Sequence, residues 1–140
     1  MTTDTNLSVR KGNCNVAILV LEVSSSARES LSELFRDQGY NVQEASNTID
    51  ANRYLDGGTK LHVILIDLDM PGWESIIKHA RENPVSPLIF CMLGFRSTWN
   101  DLLEAKKLGA HGHFVKPLNF VNLHRSIESL LTCTIRIGES

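Results

Sequence analysis

The sequence predicts one α/β domain in which helices cover both faces of a parallel sheet. Three apolar runs of strand length carry this prediction, because uninterrupted runs are typical of strands buried on both faces. These runs are residues 16–21, 63–66 and 88–93. Helical patterns separate them, and a repeated strand–helix order calls for parallel strands joined by right-handed crossovers. The length of 140 residues suits a single domain.

Each predicted helix has apolar residues three or four positions apart, which places them on one face. The five sets are Ala27, Leu31, Leu34 and Phe35; Ala51, Tyr54 and Leu55; Trp73, Ile76, Ile77 and Ala80; Trp99, Leu102 and Leu103; and Phe120, Leu123, Ile127, Leu130 and Leu131. The serines at positions 24–26 can cap the first helix. Gly57 and Gly109 are expected to end the second and fourth helices.

Two more strands and the chain ends complete the predicted organisation. Residues 41–45 alternate between apolar and polar, as an edge strand does, and residues 113–115 suggest a short fifth strand. Residues 1–15 are polar and are expected to form a flexible N-terminal arm. The domain then occupies residues 16–131, followed by a short C-terminal tail at residues 132–140.

Composition argues against several classes of function. A net charge of -2 gives no electrostatic case for binding nucleic acid or an anionic membrane. No apolar run is long enough to span a bilayer, and no signal-peptide pattern occurs at the N-terminus. The cysteines Cys14, Cys91 and Cys133 lack metal-ligand spacing, so we interpret them as reduced thiols of a cytoplasmic protein.

Charged residues stand where three of the predicted strands end. Glu22 follows the first strand, Asp67 follows the third, and Lys116 follows the fifth. Ligands of such a sheet bind outside the carboxyl ends of its strands, so these side chains are expected to converge there. The alternative is that polar residues are simply common at strand ends. The occurrence of two acidic residues and one basic residue at three such ends weakens that alternative.

Two segments then resemble a known family. Residues 64–72 (ILIDLDMPG) and 109–118 (GAHGHFVKPL) are similar to the third and fifth strands of bacterial response-regulator receiver domains, the CheY-like domains of two-component signalling. Residues 18–28 and 40–51 resemble the first two strands and their helices, and the resemblance covers about residues 16–131. It implies the flavodoxin-like receiver fold, with five parallel strands in the order 2-1-3-4-5 and five flanking helices.

The resemblance also implies a site. In the family an aspartate accepts a phosphoryl group, a divalent cation offsets the charge, and a lysine contacts the phosphoryl oxygens. Asp67 matches the phosphoacceptor and Lys116 matches the lysine. Pro117 matches a proline whose peptide bond is often cis. Glu22, Asp67 and Asp69 match cation-binding positions, Asp69 through its backbone carbonyl.

The match to the family breaks at the residues that complete this chemistry. Val23 stands where the second acidic residue is expected, so Mg²⁺ is expected to bind weakly at best. Met92 or Leu93 stands where a serine or threonine would bond the phosphoryl group. His113 replaces the usual aromatic residue of the fifth strand.

These departures favour an atypical receiver, or pseudo-receiver, that acts by protein–protein interaction within a phosphorelay. Its partner would be a histidine kinase, a phosphotransfer protein or an output protein. Trp99 and His113 are the predicted partner face, and Trp73 is predicted to be core. We expect no enzymatic activity beyond phosphoacceptance and a monomer or weak homodimer.

Three alternatives remain open at the level of sequence. The chain could be an ordinary receiver phosphorylated on Asp67. Asp67 and Lys116 could equally persist as a partly buried ion pair. Most remotely, Ser24–Ser26 could cradle a phosphate of a flavin or other small ligand, although helix capping explains those serines better. His111 and His113 are interpreted as loop and strand residues rather than as metal ligands.

Overall fold

The computed structural model of the protein describes residues 16–58 and 60–139, with side chains as far as residue 132. Strands and helices alternate along this part of the chain. The strands are β1 (Ala17–Leu21), β2 (Asn41–Ala45), β3 (Val63–Asp67), β4 (Leu88–Leu93) and β5 (Gly112–Val115). The helices are α1 (Ser25–Asp37), α2 (Thr48–Asp56), α3 (Trp73–Arg81), α4 (Trp99–Leu108) and α5 (Phe120–Glu139).

The sheet confirms the order implied by the family resemblance. Its strands lie in the order β2-β1-β3-β4-β5, and every neighbouring pair is parallel. The strand predicted at an edge, β2, lies at one edge, and β5 lies at the other. Because all strands run in one direction, the residues that follow β1, β3 and β5 meet at one end of the sheet.

Two hydrophobic layers explain why the central strands show no alternation. Leu19 and Ile64 belong to the layer on one face of the sheet, whereas Ile18 and Leu65 belong to the layer on the other. All four of these side chains are completely buried. Burying a side chain of this size contributes about 1.5–3 kcal/mol, so both faces of the sheet favour apolar residues.

Capping residues set the helix boundaries where the sequence predicts them. The Ser24 hydroxyl accepts a hydrogen bond from the Ala27 amide, which confirms a serine cap for α1. Gly57 ends α2, and Gly109 ends α4 with a φ of 119°, a conformation that favours glycine. Trp73 is buried in the core as predicted.

Other details differ from the sequence-based expectations. The helical pattern predicts Leu34 and Leu103 on buried helix faces, but they are 42% and 57% exposed. The residues that α1 and α4 bury are Leu31, Ser32 and Phe35, and Leu102 and Ala105, respectively. The predicted tail from residue 132 instead continues α5 to Glu139. The predicted arm at residues 1–15 lies outside the described residues. Cys91 is a buried free thiol, and burial raises its pKa to about 12.

Two histidine side chains accept hydrogen bonds from backbone amides of the strands. His62 Nδ1 accepts a hydrogen bond from the Ala17 amide at 2.9 Å, and His111 Nδ1 accepts one from the Ile89 amide at 3.0 Å. Partial burial lowers the pKa of both imidazoles, and the charges of Lys60 and Arg81 act in the same direction. The folded protein therefore favours the neutral form of each ring.

We predict that acidification destabilises the protein partly through these two rings. Their pKa values lie below the ordinary value of about 6.5, so the unfolded chain binds more protons near and below that pH. The free energy of unfolding should fall as the pH drops from 7 to 5. The double variant His62→Asn/His111→Asn replaces each Nδ1 acceptor with an amide oxygen that cannot titrate, and should show a smaller pH slope in urea titrations. An unchanged slope would contradict this assignment.

Candidate functional site

Three charged side chains converge at the carboxyl end of the sheet, as predicted. Glu22 directly follows β1, Asp67 ends β3, and Lys116 directly follows β5. Lys116 Nζ lies 2.6 Å from Glu22 Oε1 and 3.2 Å from Asp67 Oδ2. One ammonium group is therefore shared by two carboxylates.

The Asp67 carboxylate is buried and surrounded by donors. Its Oδ1 accepts the Asp69 amide at 2.9 Å, and its Oδ2 accepts the Val23 amide at 3.1 Å as well as Lys116 Nζ at 3.2 Å. The exposed fraction of its side chain is 0%. Both oxygens thus accept hydrogen bonds, and the buried carboxylate borders the open end of the sheet.

Glu22 is held from two sides. Its side chain is only 2% exposed, and Oε2 accepts the Ser24 amide at 2.9 Å. Arg28 donates to the Glu22 backbone carbonyl at 2.7 Å and also lies 3.7 Å from Glu44 on β2. Burial raises the pKa of the Glu22 carboxyl, the proximity of Asp67 adds to that rise, and the hydrogen bond from Lys116 opposes it.

Lys116 is held in its charged form by the two acids. Burial alone would lower its pKa, but the hydrogen bond to Glu22 and the charge of Asp67 outweigh burial and raise it. The Lys116–Pro117 peptide bond is cis, as the family resemblance implies.

The donor set does not fit a resident magnesium ion. The Val23 side chain offers no oxygen, and only its backbone amide reaches Asp67. The Asp69 carboxylate is engaged elsewhere, accepting the Arg96 amide at 3.0 Å and the Ser97 hydroxyl. Among the side chains of residues 16–58 and 60–132, no three acidic, histidine or cysteine groups are placed together to hold a metal. The Glu22 and Asp67 carboxylates meet at Lys116, whereas the Asp69 carboxylate faces the loop; the backbone carbonyl of Asp69 is the group that the family resemblance assigns to the cation.

The end of β4 carries no hydroxyl group. Met92 pairs with Asp67 in the sheet register, and its side chain is completely buried in one hydrophobic layer. Leu93 is buried in the other layer. At either of the two positions considered for the missing hydroxyl, the side chain is therefore an apolar core residue.

The predicted partner residues lie next to each other. The rings of Trp99, at the start of α4, and His113, on β5, meet edge to face with centroids 6.1 Å apart. The Trp99 side chain is 64% exposed. Partial burial and the nearby Lys106 lower the His113 pKa.

An open cleft of about 790 Å³ lies above the charged cluster. Its walls include three residues of the loop between β4 and α4 that the sequence analysis did not identify. These residues are Gly94, Phe95 and Arg96. Arg96 and the neighbouring Ser97 contact Asp69 across this loop. No motif marks these contacts, because they depend on how the loop folds back over the sheet.

The fold and the cluster together define an α/β protein with an acidic site at the carboxyl ends of a parallel sheet. Residues 18–128 match the family described as the response regulator receiver domain. The chain belongs to this family. Membership establishes it as a receiver domain of two-component signalling, and it leaves the chemical state of Asp67 to experiment.

Relatives and solved structures agree with this membership. The chain is 28% identical over 122 residues to the chemotaxis protein CheY-3 of Vibrio cholerae, covering 84% of this chain and 93% of that protein. It is 28% identical over 116 residues to the transcriptional regulatory protein PhoP of Escherichia coli, covering 81% of this chain and 51% of PhoP. The chain thus spans about half the length of PhoP.

Two solved structures show the same fold. The CheY-like receiver domain protein of Methanospirillum hungatei superposes with a TM-score of 0.80 at 17% identity, over 88% of this chain and 98% of that one. A receiver domain protein of Clostridium thermocellum gives 0.77 at 19% identity, over 87% and 98%. Among the described helices, none is both long and apolar enough to cross a membrane.

We predict that removing Lys116 is strongly destabilising. In Lys116→Met, two buried carboxylates lose their counter-charge, which should lower the free energy of unfolding by about 3–5 kcal/mol at pH 7. The loss should shrink at low pH, where protonation removes the unpaired charge. Urea unfolding followed by circular dichroism measures both effects.

The matched control for this prediction is Lys107→Met. Lys107 pairs with Glu104 on the surface of α4 at 3.9 Å, and both side chains are more than half exposed. Such a pair contributes about 0–1 kcal/mol, so this variant should unfold almost like the parent. Equal losses in the two lysine variants would contradict the structural role assigned to the cluster.

Proposed function

We propose that this chain is an atypical receiver that acts in a phosphorelay mainly by protein–protein interaction, with a degenerate phosphorylation site. Its partner is a histidine kinase, a phosphotransfer protein or an output protein, and it works in the cytoplasm as a monomer or weak dimer without enzymatic turnover. Family membership supports the signalling role. The burial of Asp67 beneath its donors is the observation that carries the atypical role.

The contacts of Asp67 oppose its phosphorylation. The side chain is buried at the edge of the cleft, and its bonds to Val23, Asp69 and Lys116 stabilise the unmodified state. Hydrogen bonds to charged groups contribute about 1.5–3 kcal/mol each, so displacing any of them has a substantial cost. A resident cation that could offset this cost has no complete set of side-chain ligands among the described residues.

A phosphoryl group would also lack a partner for switching. A modification shifts a conformational equilibrium only if it interacts differently with the two states. Met92 and Leu93 are apolar and buried, so neither can donate a hydrogen bond to a phosphoryl oxygen. The exposed Trp99 and its contact with His113 then offer a surface that is present without modification.

The second candidate is an ordinary receiver that accepts a phosphoryl group on Asp67. One observation favours it: Lys116 Nζ already lies 3.2 Å from Asp67 Oδ2, within reach of an added phosphoryl oxygen. In that case the two acids and the lysine form the reacting site, and the missing hydroxyl limits only the response.

We predict that Mg²⁺ binds weakly and that Val23→Asp strengthens its binding at least tenfold. The new carboxylate would supply a hard oxygen ligand beside Glu22 and Asp67. NMR titration of backbone amides near the site measures the affinity. Val23→Asn is the matched control, because it has a similar shape without the charge, and its gain should be smaller. Tight binding by the unmodified protein would contradict the weak-site proposal.

We predict that partner binding depends on Trp99 more than on Asp67. Calorimetry should use a purified histidine kinase, phosphotransfer protein or output protein that captures this chain, with and without beryllofluoride as a phosphoryl mimic. Trp99→Ala should weaken binding at least tenfold, because it removes an exposed aromatic anchor. Asp67→Asn should change affinity less than threefold.

The control for Trp99→Ala is Ile49→Ala, which removes another large exposed side chain, on α2 and outside the proposed face. It should leave binding unchanged. A large gain in affinity with beryllofluoride that Asp67→Asn abolishes would instead support the phosphoaccepting receiver.

A further inference from the structure

The loop between β4 and α4 is hydrogen-bonded to Asp69, which lies two residues after Asp67. Asp69 Oδ1 accepts both the Arg96 amide, at 3.0 Å, and the Ser97 hydroxyl. The Ser97 oxygen in turn accepts the Gly94 amide at 3.0 Å. The Arg96 amide and the Ser97 hydroxyl thus bond the Asp69 carboxylate, and the Gly94 amide bonds the Ser97 hydroxyl oxygen.

The shape of the loop fits this arrangement. A Cβ atom at Gly94 would collide with the Asp69 carboxylate, so glycine allows the side chain to lie directly against the loop backbone. Asp69 and Ser97 are both half-buried, whereas Phe95 of the same loop is fully exposed. The polar side chains therefore point inward, and the apolar one points to solvent.

A second set of hydrogen bonds follows directly at the start of α4. Ser97 is followed by Thr98, whose hydroxyl accepts the Asp101 amide at 3.1 Å while Asp101 accepts the Thr98 amide at 2.8 Å. This reciprocal cap fixes the first turn of the helix, which begins at Trp99. The segment bonded to Asp69 thus leads, through the peptide chain, directly into the capped turn that begins at Trp99.

The network also touches the acid cluster without depending on its charge. The Asp69 backbone amide donates to Asp67 Oδ1, but the Asp69 side chain faces the loop. The hydrogen bonds that hold the loop come from Arg96, Ser97 and Gly94 and include no atom of Asp67. A change at Asp67 therefore reaches these bonds only by way of the Asp69 backbone.

We propose that Asp69 and Ser97 form a clasp that holds the loop between β4 and α4 in one conformation and presents Trp99 independently of Asp67. Here the clasp means the Asp69 carboxylate, the Ser97 hydroxyl and the amides of Gly94 and Arg96. The inference rests on the proposed function, in which the partner face is present without phosphorylation, and it assigns the residues that keep it in place.

Amide hydrogen exchange measured by NMR tests the clasp directly. In the intact protein the amides of Gly94 and Arg96 should be protected, because both are hydrogen-bonded. Ser97→Ala should speed their exchange at least tenfold, and Ser97→Thr, which restores the hydroxyl, should return protection. Gly94→Ala should also speed exchange of the Arg96 amide, because it displaces the Asp69 carboxylate without removing any polar group.

Ser75→Ala is the matched control for the loss of a hydroxyl. The Ser75 hydroxyl donates to the Gly72 carbonyl at 2.9 Å at the start of α3, away from the loop. This variant should leave exchange at Gly94 and Arg96 unchanged. Unchanged exchange in Ser97→Ala, or equal effects of Ser97→Ala and Ser75→Ala, would overturn the clasp.

A second readout separates the clasp from the proposed function. The indole N–H signal of Trp99 should stay in place when beryllofluoride is added to the intact protein, and should shift or broaden in Ser97→Ala. If beryllofluoride moves the signal while the Gly94 and Arg96 amides remain protected, the clasp forms but does not isolate Trp99. The phosphorylation-independent function then fails, and so does the part of the inference that rests on it. If Ser97→Ala leaves both readouts unchanged, the clasp fails and the proposed function stands.

Discussion

The site depends on one buried ammonium group shared by two carboxylates. Glu22 and Asp67 are almost completely inaccessible, and a buried charge is tolerated only with a partner. Lys116 reaches them from the far side of β4, because β4 lies between β3 and β5 in the sheet. The Lys116 backbone amide donates to the Leu93 carbonyl at 2.9 Å, so the end of β4 anchors the residue whose ammonium group reaches the two acids.

This arrangement gives a physical account of the departures from the family pattern. The charged Lys116 ammonium balances the negative charge of Glu22 and Asp67. Because position 23 is a valine, no third carboxylate adds to that negative charge. Val23 contributes through its amide rather than its side chain, so an apolar side chain at that position is consistent with the cluster. The same contacts that stabilise the cluster also engage both oxygens of Asp67, the atoms that a phosphoryl group would have to reach.

The fold and the charged cluster could be predicted from sequence, whereas the loop contacts could not. Continuous apolar runs identified β1, β3 and β4, and the shared direction of parallel strands placed Glu22, Asp67 and Lys116 together. The exposure of Leu34 and Leu103 depends on tertiary neighbours, which helical periodicity does not specify. The Asp69–Ser97 contact spans 28 positions and depends on loop conformation, so its residues carry no local signal.

The position of Asp69 decides how a change at Asp67 could travel. Its amide contacts Asp67, while its carboxylate holds the loop that leads to Trp99, so one residue stands between the acid cluster and the proposed partner face. A connection of this kind transmits a signal only if some element has two arrangements of similar stability. The inward polar groups of the loop are bonded to Asp69 and Ser97, and Phe95 is exposed on the wall of the cleft. Under the proposed clasp, a change at Asp67 reaches Trp99 only if it also breaks the hydrogen bonds of the Asp69 carboxylate.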